Sequence, residues 1–405
     1  MNIRVSNISI IVAALIAFVS ASPWFVWGKP VVKLGLLAIF EALRLFMLIR
    51  HRKVTNFIPT IFCLILCLYL YVVHTLGIFD IFTTVFTRTL PLLLVIQFFD
   101  EEKKKFLDTL TNMLAGVLLV SLLFFILFQF GIKLPSTKIT AVDSFYPDFY
   151  NYYAFLIVGH SGLFTRFQSV FTEPGHLGMI MSLMLYANGY NLKKWQNVVF
   201  LISLFWSLSL AAYVLLVLGL ILHTAAKSKN YLKFMGGLAV VLGILMTVGI
   251  MVYQANQDSV ISRLILGRLA LEGNTIAGNN RNTQDFLMMY ENLKDSPQFI
   301  LGIGPEQFQQ MTFNGGNSSY RNYVFQYGML GLVLLFLFGL SNVIRVPSKF
   351  YFGLLLLYSF SFIQRPYALW EIESFVFICY AGRLLAQPEQ IEISHETESP
   401  ISGTA

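Results

Sequence analysis

The segment at residues 166–178 gathers reactive side chains at the start of an apolar helix, and it reads RFQSVFTEPGHLG. Thr172 suits the N-cap of that helix, and the proline two positions later is best tolerated in a first helical turn. The free N–H groups and positive dipole end of such a helix bind phosphate readily. Arg166 lies nearby and is able to grip two phosphate oxygens at once. The segment is therefore a candidate site for an anionic substrate.

Glu173 and His176 are the candidates for a general base in this segment. They lie three residues apart, so a helix places them on one face. Either group could accept a proton from a reacting hydroxyl. The plainer alternative is that Glu173 caps its own helix and His176 forms interfacial hydrogen bonds. The sequence leaves the choice of base open.

A second polar segment, residues 254–321, supplies further cations and a tight turn. Residues 282–294 are predicted to form a short amphipathic helix capped near Asn282. Gly302-Ile303-Gly304-Pro305 follows, and glycines so closely spaced predict a turn with close backbone approach. This Gly-x-Gly is not a nucleotide-binding motif, because no strand precedes it. The arginines of the segment are Arg263, Arg268, Arg281 and Arg321.

The elements that position these segments are predicted to be membrane helices. Of the 405 residues, 56% are hydrophobic and only 12% are charged, whereas a soluble protein carries about a quarter charged residues. Apolar runs of roughly 20 residues recur without alternation, which favours helices over a barrel. We predict an all-α, polytopic helical membrane protein with about 12 transmembrane helices. The predicted spans are 8–28, 31–49, 56–76, 79–99, 110–131, 171–190, 197–209, 210–225, 234–253, 322–342, 348–364 and 368–385.

The distribution of basic residues predicts the orientation of these spans. Lysine and arginine concentrate on one side, whereas the short segments on the other side hold only Lys29, Lys33 and Arg365. By the positive-inside rule, both termini then lie in the cytoplasm. Lysines lie on both sides of residues 197–225, so this orientation requires two crossings there and a helix break at Ser207-Leu208-Ser209. Because the basic residues lie at helix ends, the net charge of +7 does not indicate nucleic-acid binding.

The predicted topology gives one membrane domain, residues 1–385. Two long loops, at about 132–170 and 254–321, lie on the outer side, and loops of this length are usually functional. Residues 386–405 are predicted to form a disordered cytoplasmic tail, because they are rich in Glu, Ser and Pro.

Charged residues within the spans are functional candidates, because an intramembrane charge is costly. Arg88 lies several residues inside the fourth predicted span, where it could reach a diphosphate; alternatively, the helix begins later and Arg88 snorkels outward. Glu41 and Arg44 lie three residues apart and are predicted to pair with each other. Three further charges are predicted near the mouth of the site: Arg365, Glu371 and Glu373.

In order, these motifs resemble the lipid-linked oligosaccharide polymerases and ligases of bacterial surfaces, the Wzy and WaaL group. The resemblance comprises the Arg-led Glu-Pro segment, the Ser-rich break at 207–213, the late loop with its helix and Gly302–Pro305 turn, and the helix with Gly328 and Gly331. It covers roughly residues 160–340. The ligases typically carry a histidine in the late loop, near the position of Asn317 here. No histidine occurs in that loop, which favours the polymerases.

The resemblance implies a polysaccharide polymerase in the bacterial inner membrane with its active site facing the periplasm. Such an enzyme is a glycosyltransferase that moves a growing glycan from undecaprenyl diphosphate onto an incoming lipid-linked repeat unit. The expected partners are undecaprenyl-diphosphate-linked oligosaccharide, membrane lipid and a chain-length regulator protein, with no nucleic acid. We expect no cofactor and no metal, because the six histidines form no ligand cluster in the sequence.

The resemblance and the charges together give two sets of expected site residues. The expected catalytic residues are Arg166, Glu173, His176 and Arg281. The expected substrate-binding residues are Arg88, Arg263, Arg268, Asn317, Tyr320 and Arg321.

The same lipid-linked glycan would also be the substrate of a ligase or of a transporter. An O-antigen ligase would use the same donor and transfer the finished glycan to lipid A core or a protein. A transporter of the same lipid-linked glycan would carry polar residues along many spans. Here the polar residues concentrate in two loops on one face, which favours chemistry at the membrane surface.

Overall fold

The computed structural model describes residues 2–51, 55–74, 77–139, 149–152, 156–159, 165–228, 237, 251, 271–272, 275–276, 282–311, 319–365 and 367–386. These residues are mostly helical. The helices are α1 (Asn2–Ser20), α2 (Pro30–His51), α3 (Phe57–Cys67), α4 (Ile78–Thr84), α5 (Leu90–Ile96), α6 (Asp100–Gln129), α7 (Pro174–Ala187), α8 (Trp195–Trp206), α9 (Leu210–Lys227), α10 (Gln284–Lys294), α11 (Gln298–Leu301), α12 (Pro305–Gln310), α13 (Tyr320–Arg345), α14 (Lys349–Gln364) and α15 (Glu371–Leu385). Two π-helical segments accompany them: Leu68–Val73 continues α3, and Val85–Thr89 joins α4 to α5.

Several of these helices are apolar enough to cross a membrane. Four are also long enough: Ile78–Ile96, Asp100–Gln129, Leu210–Lys227 and Tyr320–Arg345. Shorter apolar helices cover Val5–Ser20, Phe57–Val73, Trp195–Trp206 and Lys349–Ile363. Many large apolar side chains on the bundle surface are exposed, Ile49 and Phe79 among them. Extensive exposed apolar surface is typical of a protein that contacts lipid.

A helix coincides with every predicted span that the structure describes. The predicted break at 207–209 is confirmed, because α8 ends at Trp206, Leu208 adopts a left-handed φ of 47° and α9 begins at Leu210. The predicted span at 234–253 lies outside the described residues apart from residues 237 and 251. The predicted tail lies outside them apart from Ala386.

Helix α7 lies at the centre of the bundle. Every α7 residue except His176 is buried, and the helix packs against α8, α9, α14 and α15. A helix that is apolar all round belongs in the middle of a bundle. Since neighbouring helices fix α7 on all sides, its first turn can hold reactive groups in place. We call the end of the bundle where α7 and α15 begin the site end, and the other, where Arg345 and Arg383 lie, the basic end.

The described parts of the 132–170 segment form a small sheet that supports the start of α7. Phe149 is fully buried and packs against Trp27, with ring centroids 5.2 Å apart. The N–H of Ile157 donates to the carbonyl of Ser169 at 2.8 Å, so the sheet anchors the chain that leads into α7. The antiparallel strands, in spatial order, are β1 (Thr137–Ile139), β2 (Phe149–Asn151) and β3 (Ile157–Gly159). A separate antiparallel pair is β4 (Leu271–Glu272) and β5 (Thr275–Ile276).

The late polar segment docks on α13 where that helix is broken. Gly328 is non-helical, with φ 66° and ψ −178°, and the break frees carbonyls of the preceding turn. The N–H groups of Ile303 and Gly304 donate to the carbonyls of Phe325 and Gln326, at 2.8 and 3.0 Å. The close backbone approach that the sequence predicts for this turn is therefore confirmed.

Helix α10 is the amphipathic helix predicted at 282–294. Its N-cap is Thr283, whose hydroxyl accepts from the N–H of Phe286, and not Asn282. The buried residues on α10 follow the i, i+4, i+7 spacing of one helix face. With α13 they form a second hydrophobic core: Phe286, Tyr290, Leu293, Val324 and Phe325.

A buried ion pair at the basic end corrects the prediction for Glu41 and Arg44. Arg44 pairs with Glu102 on α6 through two hydrogen bonds of 2.9 and 3.1 Å, and not with Glu41. The guanidinium also lies 4.4 Å from the ring centroid of Phe98. Glu102 accepts in addition from the N–H of Phe99 at 3.0 Å. The pair therefore ties α2 to α6, which a pattern within one helix could not reveal.

Candidate functional site

The start of α7 lies one residue later than the sequence predicts. Glu173 is the N-cap residue, with an extended backbone, and Pro174 is the first helical residue. Thr172 does not cap the helix; its Oγ1 lies 3.1 Å from Nδ1 of His176 instead. The proline position is as predicted, and both candidate bases project from the site end.

Arg365, the C-cap residue of α14, draws the candidate bases together. One Nη of its guanidinium donates to Glu173, and the other lies 3.2 Å from Nε2 of His176 and 3.3 Å from the Tyr367 hydroxyl. The Tyr367 hydroxyl lies 3.0 Å from the same Nε2. We call these side chains the His176 cluster: Thr172, Glu173, His176, Arg365 and Tyr367.

The donors around His176 indicate the state of its ring. Arginine has no acceptor, so Nε2 of His176 must accept if it bonds to Arg365. The ring proton then lies on Nδ1, which donates to Thr172, while Arg365 and the Tyr367 hydroxyl share the one lone pair of Nε2. This arrangement presents a neutral imidazole with its basic nitrogen facing the side where Tyr367 lies, and Tyr367 is 37% exposed. A neutral, accessible imidazole is what a general base requires.

Arg365 is a permanent cation in a largely enclosed position. Its side chain is 10% exposed, against 28% for Glu173. Burial alone would lower the pKa of Arg365, but Glu173 and Tyr367 beside it raise the pKa above its ordinary value. A Cβ at Gly175 would lie 3.0 Å from this guanidinium, so a larger residue there would require the Arg365 side chain to shift. Because Glu173 is engaged in the ion pair, His176 is the stronger candidate base.

The ring of Trp370 stands beside the His176 cluster. The ring centroid of Trp370 lies 5.6 Å from His176 and 5.4 Å from Tyr367. The Trp370 indole is fixed by donating to the carbonyl of Ser20 at 2.8 Å. Aromatic faces held in this way offer apolar surface next to polar groups, and sugar rings have both kinds of face.

Arg88 occupies the π-helical segment Val85–Thr89 and is exposed. It interacts with the hydroxyl of Tyr71, which lies on the other π-helical segment, and with Tyr327 and Glu371. Tyr327 directly precedes the break at Gly328. Irregular backbone in apolar helices is tolerated where it lines a polar cavity, and π-helical turns are frequent at functional sites.

Glu371 joins the surroundings of Arg88 to the His176 cluster. It pairs with Lys33 of α2 at 2.5 Å and interacts with Arg88. It directly follows Trp370, which packs on His176. Both groups therefore lie at the site end, where the cations Lys33, Arg88 and Arg365 face the carboxylates Glu173 and Glu371.

Arg166 lies at the break between α8 and α9. Its Nε donates to the carbonyl of Ser207 and one Nη to the carbonyl of Leu208, both at 3.0 Å. These bonds satisfy carbonyls that the end of α8 leaves without helical partners. Arg166 therefore supports the helix break through two hydrogen bonds. Its role as a phosphate ligand stays a prediction.

Of the remaining predicted residues, the structure describes Tyr320 and Arg321 but not the other four. Arg321 lies over the rings of Tyr290 and Tyr320, with its guanidinium 5.4 and 5.3 Å from their centroids, so it helps dock α10 on α13. The others lie outside the described residues: Arg263, Arg268, Arg281 and Asn317.

The sequence did not single out Tyr71, Tyr367 or Trp370 as site residues. Arg365 and Glu371 were placed at the mouth of the site, and the structure brings them to its centre. The available signal was the short segment Arg365–Glu371, where charged and aromatic residues crowd between two apolar helices. Within the described ranges, no three His, Cys, Asp or Glu side chains lie close enough to hold a metal ion.

Comparison of the chain with protein families, with curated proteins and with solved structures gives no match. Any function must therefore be inferred from the residues and the geometry of the site end.

Proposed function

We propose that the chain is a polysaccharide polymerase of the Wzy type. The observation that carries this proposal is the His176 cluster, in which a cation, a carboxylate and an imidazole meet at the start of the central helix. A glycosyl transfer from a lipid diphosphate needs a base for the acceptor and a cation for the leaving group. The aromatic pair Tyr367 and Trp370 supplies a surface for the sugars.

The orientation that fits this proposal places the site end at the periplasmic face of the bacterial inner membrane. Basic side chains concentrate at the other end, where the positive-inside rule places the cytoplasm. Twelve spans with both termini inside would satisfy this rule. Undecaprenyl-diphosphate-linked repeat units would then meet the site at the outer leaflet.

In the proposed reaction, a hydroxyl of the incoming repeat unit takes the place of the Tyr367 hydroxyl against Nε2 of His176. The hydroxyl oxygen forms a bond to the anomeric carbon of the growing glycan. The bond between that carbon and the diphosphate oxygen breaks, and the electron pair leaves with undecaprenyl diphosphate. His176 takes the hydroxyl proton. The growing chain is thereby transferred to the carrier of the incoming unit.

Arg365 and Arg88 are the proposed stabilisers of the leaving diphosphate. Negative charge builds up on the bridging oxygen as the bond breaks, and fixed cations in a partly enclosed site stabilise such charge strongly. Arg365 is held by Glu173, so it is already in place before the reaction. Arg88 is exposed and interacts electrostatically with Glu371, which directly follows Trp370 in the chain.

A ligase and a transporter remain the alternative functions. The ligase shares the donor and differs only in the acceptor, so the same cations and base would serve it. The histidine that ligases carry in the late loop does not occur in this sequence. A transporter would have no use for a neutral imidazole held against a hydroxyl, which favours an enzyme.

The experiment that tests the proposal uses purified protein in lipid nanodiscs with a defined lipid-diphosphate-linked repeat unit. A polymerase produces a ladder of chain lengths, and His176→Gln is expected to reduce its rate of formation by roughly 10²–10⁴-fold. His51→Gln, in a helix end away from the His176 cluster, is the matched control.

Three results would contradict the proposal. One glycan joined to a lipid A core acceptor identifies a ligase. Unaltered substrate that changes sides of a sealed vesicle identifies a transporter. A ladder formed at the normal rate by the folded His176→Gln variant removes His176 from the mechanism.

A further inference from the structure

A second site lies at the basic end, apart from the His176 cluster. A cavity of about 810 Å³ opens there between the α7–α8 turn and the ends of α9 and α15. Its size is that of a small-molecule binding site. The residues around it are Ala187, Asn188, Gly189, Tyr190, Asn191, Leu192, Lys193, Lys194, Lys227, Tyr380 and Arg383.

The charge around this cavity is positive. Lys193, Lys194 and Lys227 are exposed, and in the part of the chain that the structure describes none of them forms an ion pair. Arg383 is held differently, because it donates to Asp108, to Asn188 and to the carbonyl of Ala187. Three exposed lysines thus surround the cavity, and a fourth cation, Arg383, is held in its wall by hydrogen bonds.

The turn that carries two of these lysines is a rigid one. Asn188 donates to Asn197, and Asn197 donates to the carbonyl of Asn191, both at 2.9 Å. Gly189 and Tyr190 both adopt a left-handed backbone, with φ of 68° and 53°. Such a φ is strained for tyrosine, and strain of this kind concentrates at binding sites.

Behind this turn lies a histidine whose ring has no polar partner. His223 is 6% exposed, and neither ring nitrogen has a hydrogen-bond partner among the described residues. The hydroxyl of Tyr190 lacks one as well. Two residues that line the cavity lie against His223: a Cβ at Gly189 would lie 3.8 Å from Cε1 of the histidine, and the Tyr190 ring centroid lies 5.4 Å from the His223 ring. Buried polar groups without partners are costly, so each needs an explanation such as an absent ligand or water.

We propose that this cavity binds a phosphate-bearing ligand. Its lysines suit phosphate oxygens as point charges, and the amide and tyrosine groups of the turn add neutral donors. Basic pockets between membrane helices on the cytoplasmic side bind anionic lipid headgroups, and a soluble phosphate compound offers the same chemistry. The site is independent of the function proposed for the site end.

The test compares two double variants of the full chain. Lys193→Gln with Lys194→Gln removes two cations from the cavity. Lys104→Gln with Lys105→Gln removes two adjacent, exposed lysines from the start of α6, at the same end of the bundle. Binding is measured by thermal shift and by native mass spectrometry, with phosphatidylglycerol, phosphatidylcholine and inorganic phosphate as the added probes.

Phosphatidylglycerol or inorganic phosphate is expected to stabilise the wild type, and phosphatidylcholine is not. Loss of both cavity lysines should raise the apparent Kd by roughly 30-fold, whereas the Lys104 and Lys105 variant should bind like the wild type. Stabilisation by phosphate alone identifies a soluble ligand, and stabilisation by the lipid alone identifies a headgroup. The site is refuted if neither probe binds or if the two double variants lose affinity equally.

Discussion

Replacing Arg365 by lysine tests the His176 cluster directly, because the substitution keeps the charge and removes the planar fork. Arg365 reaches three partners at once: Glu173, His176 and Tyr367. An ammonium group on a shorter, flexible stem cannot hold all three in one geometry. We therefore expect Glu173 to keep an ion partner while His176 and Tyr367 lose the donor that fixes them.

The size of the effect follows from these contacts. A hydrogen bond to a charged group contributes about 1.5–3 kcal/mol, and the variant loses at least one such bond. Tyr367, one of the two partners that lose this donor, is 37% exposed, so water compensates in part and the lower end of this range applies to stability. In the reaction, the loss of one preorganised donor to developing negative charge costs about 10²–10³ in rate. We expect polymerisation by Arg365→Lys to be roughly 100-fold slower.

The assay follows the ladder of glycan lengths over time in nanodiscs. The matched control is Arg345→Lys at the basic end, where Arg345 pairs with Asp100 at 2.7 Å and both side chains are partly exposed. An exposed pair of this kind contributes at most about 1 kcal/mol, so the control should polymerise within about twofold of the wild type. Normal ladder formation by Arg365→Lys would refute the assignment of Arg365. Equal losses in both variants would point to general damage.

Two further predictions concern the folded state and are measured by thermal unfolding in detergent. Gly302→Ala adds a Cβ 2.3 Å from a main-chain carbonyl oxygen at a φ of 81°, so it should destabilise by about 2 kcal/mol or more. The control is Gly116→Ala, whose new Cβ meets open space, and it should not destabilise the protein. Equal losses of stability in the two variants would contradict the close packing of the turn on α13. Tyr69→Phe removes a hydroxyl that donates to two carbonyls of the docked turn and the broken helix, at 2.8 and 3.0 Å. It should cost about 1 kcal/mol and speed proteolysis of the late segment, and unchanged proteolysis would speak against this contact.

Local patterns in the sequence predict much of the helical framework. The helix break at 207–209, the proline in the first turn of α7 and the amphipathic helix α10 all depend on neighbouring residues, and all three are confirmed. The turn at 302–305 is predicted correctly for the same reason. Two glycines so close together are needed where one backbone passes against another.

The composition of the site was harder to predict, because its members come from distant parts of the chain. Glu173 and Arg365 are 192 residues apart, and helix packing alone brings them together. Arg44 and Glu102, 58 residues apart, show the same limit, since the sequence favoured a partner within one helix turn. The π-helical segments that carry Tyr71 and Arg88 leave no mark in hydrophobic periodicity.

The late position of Arg365 in the chain has a consequence for biosynthesis. His176 and Glu173 are synthesised well before α14 and α15. Until Arg365, Tyr367 and Trp370 follow, the imidazole lacks these three neighbours, and the central helix lacks two of the helices that it packs against. A chain truncated before residue 365 therefore contains both candidate bases but not the guanidinium that joins them.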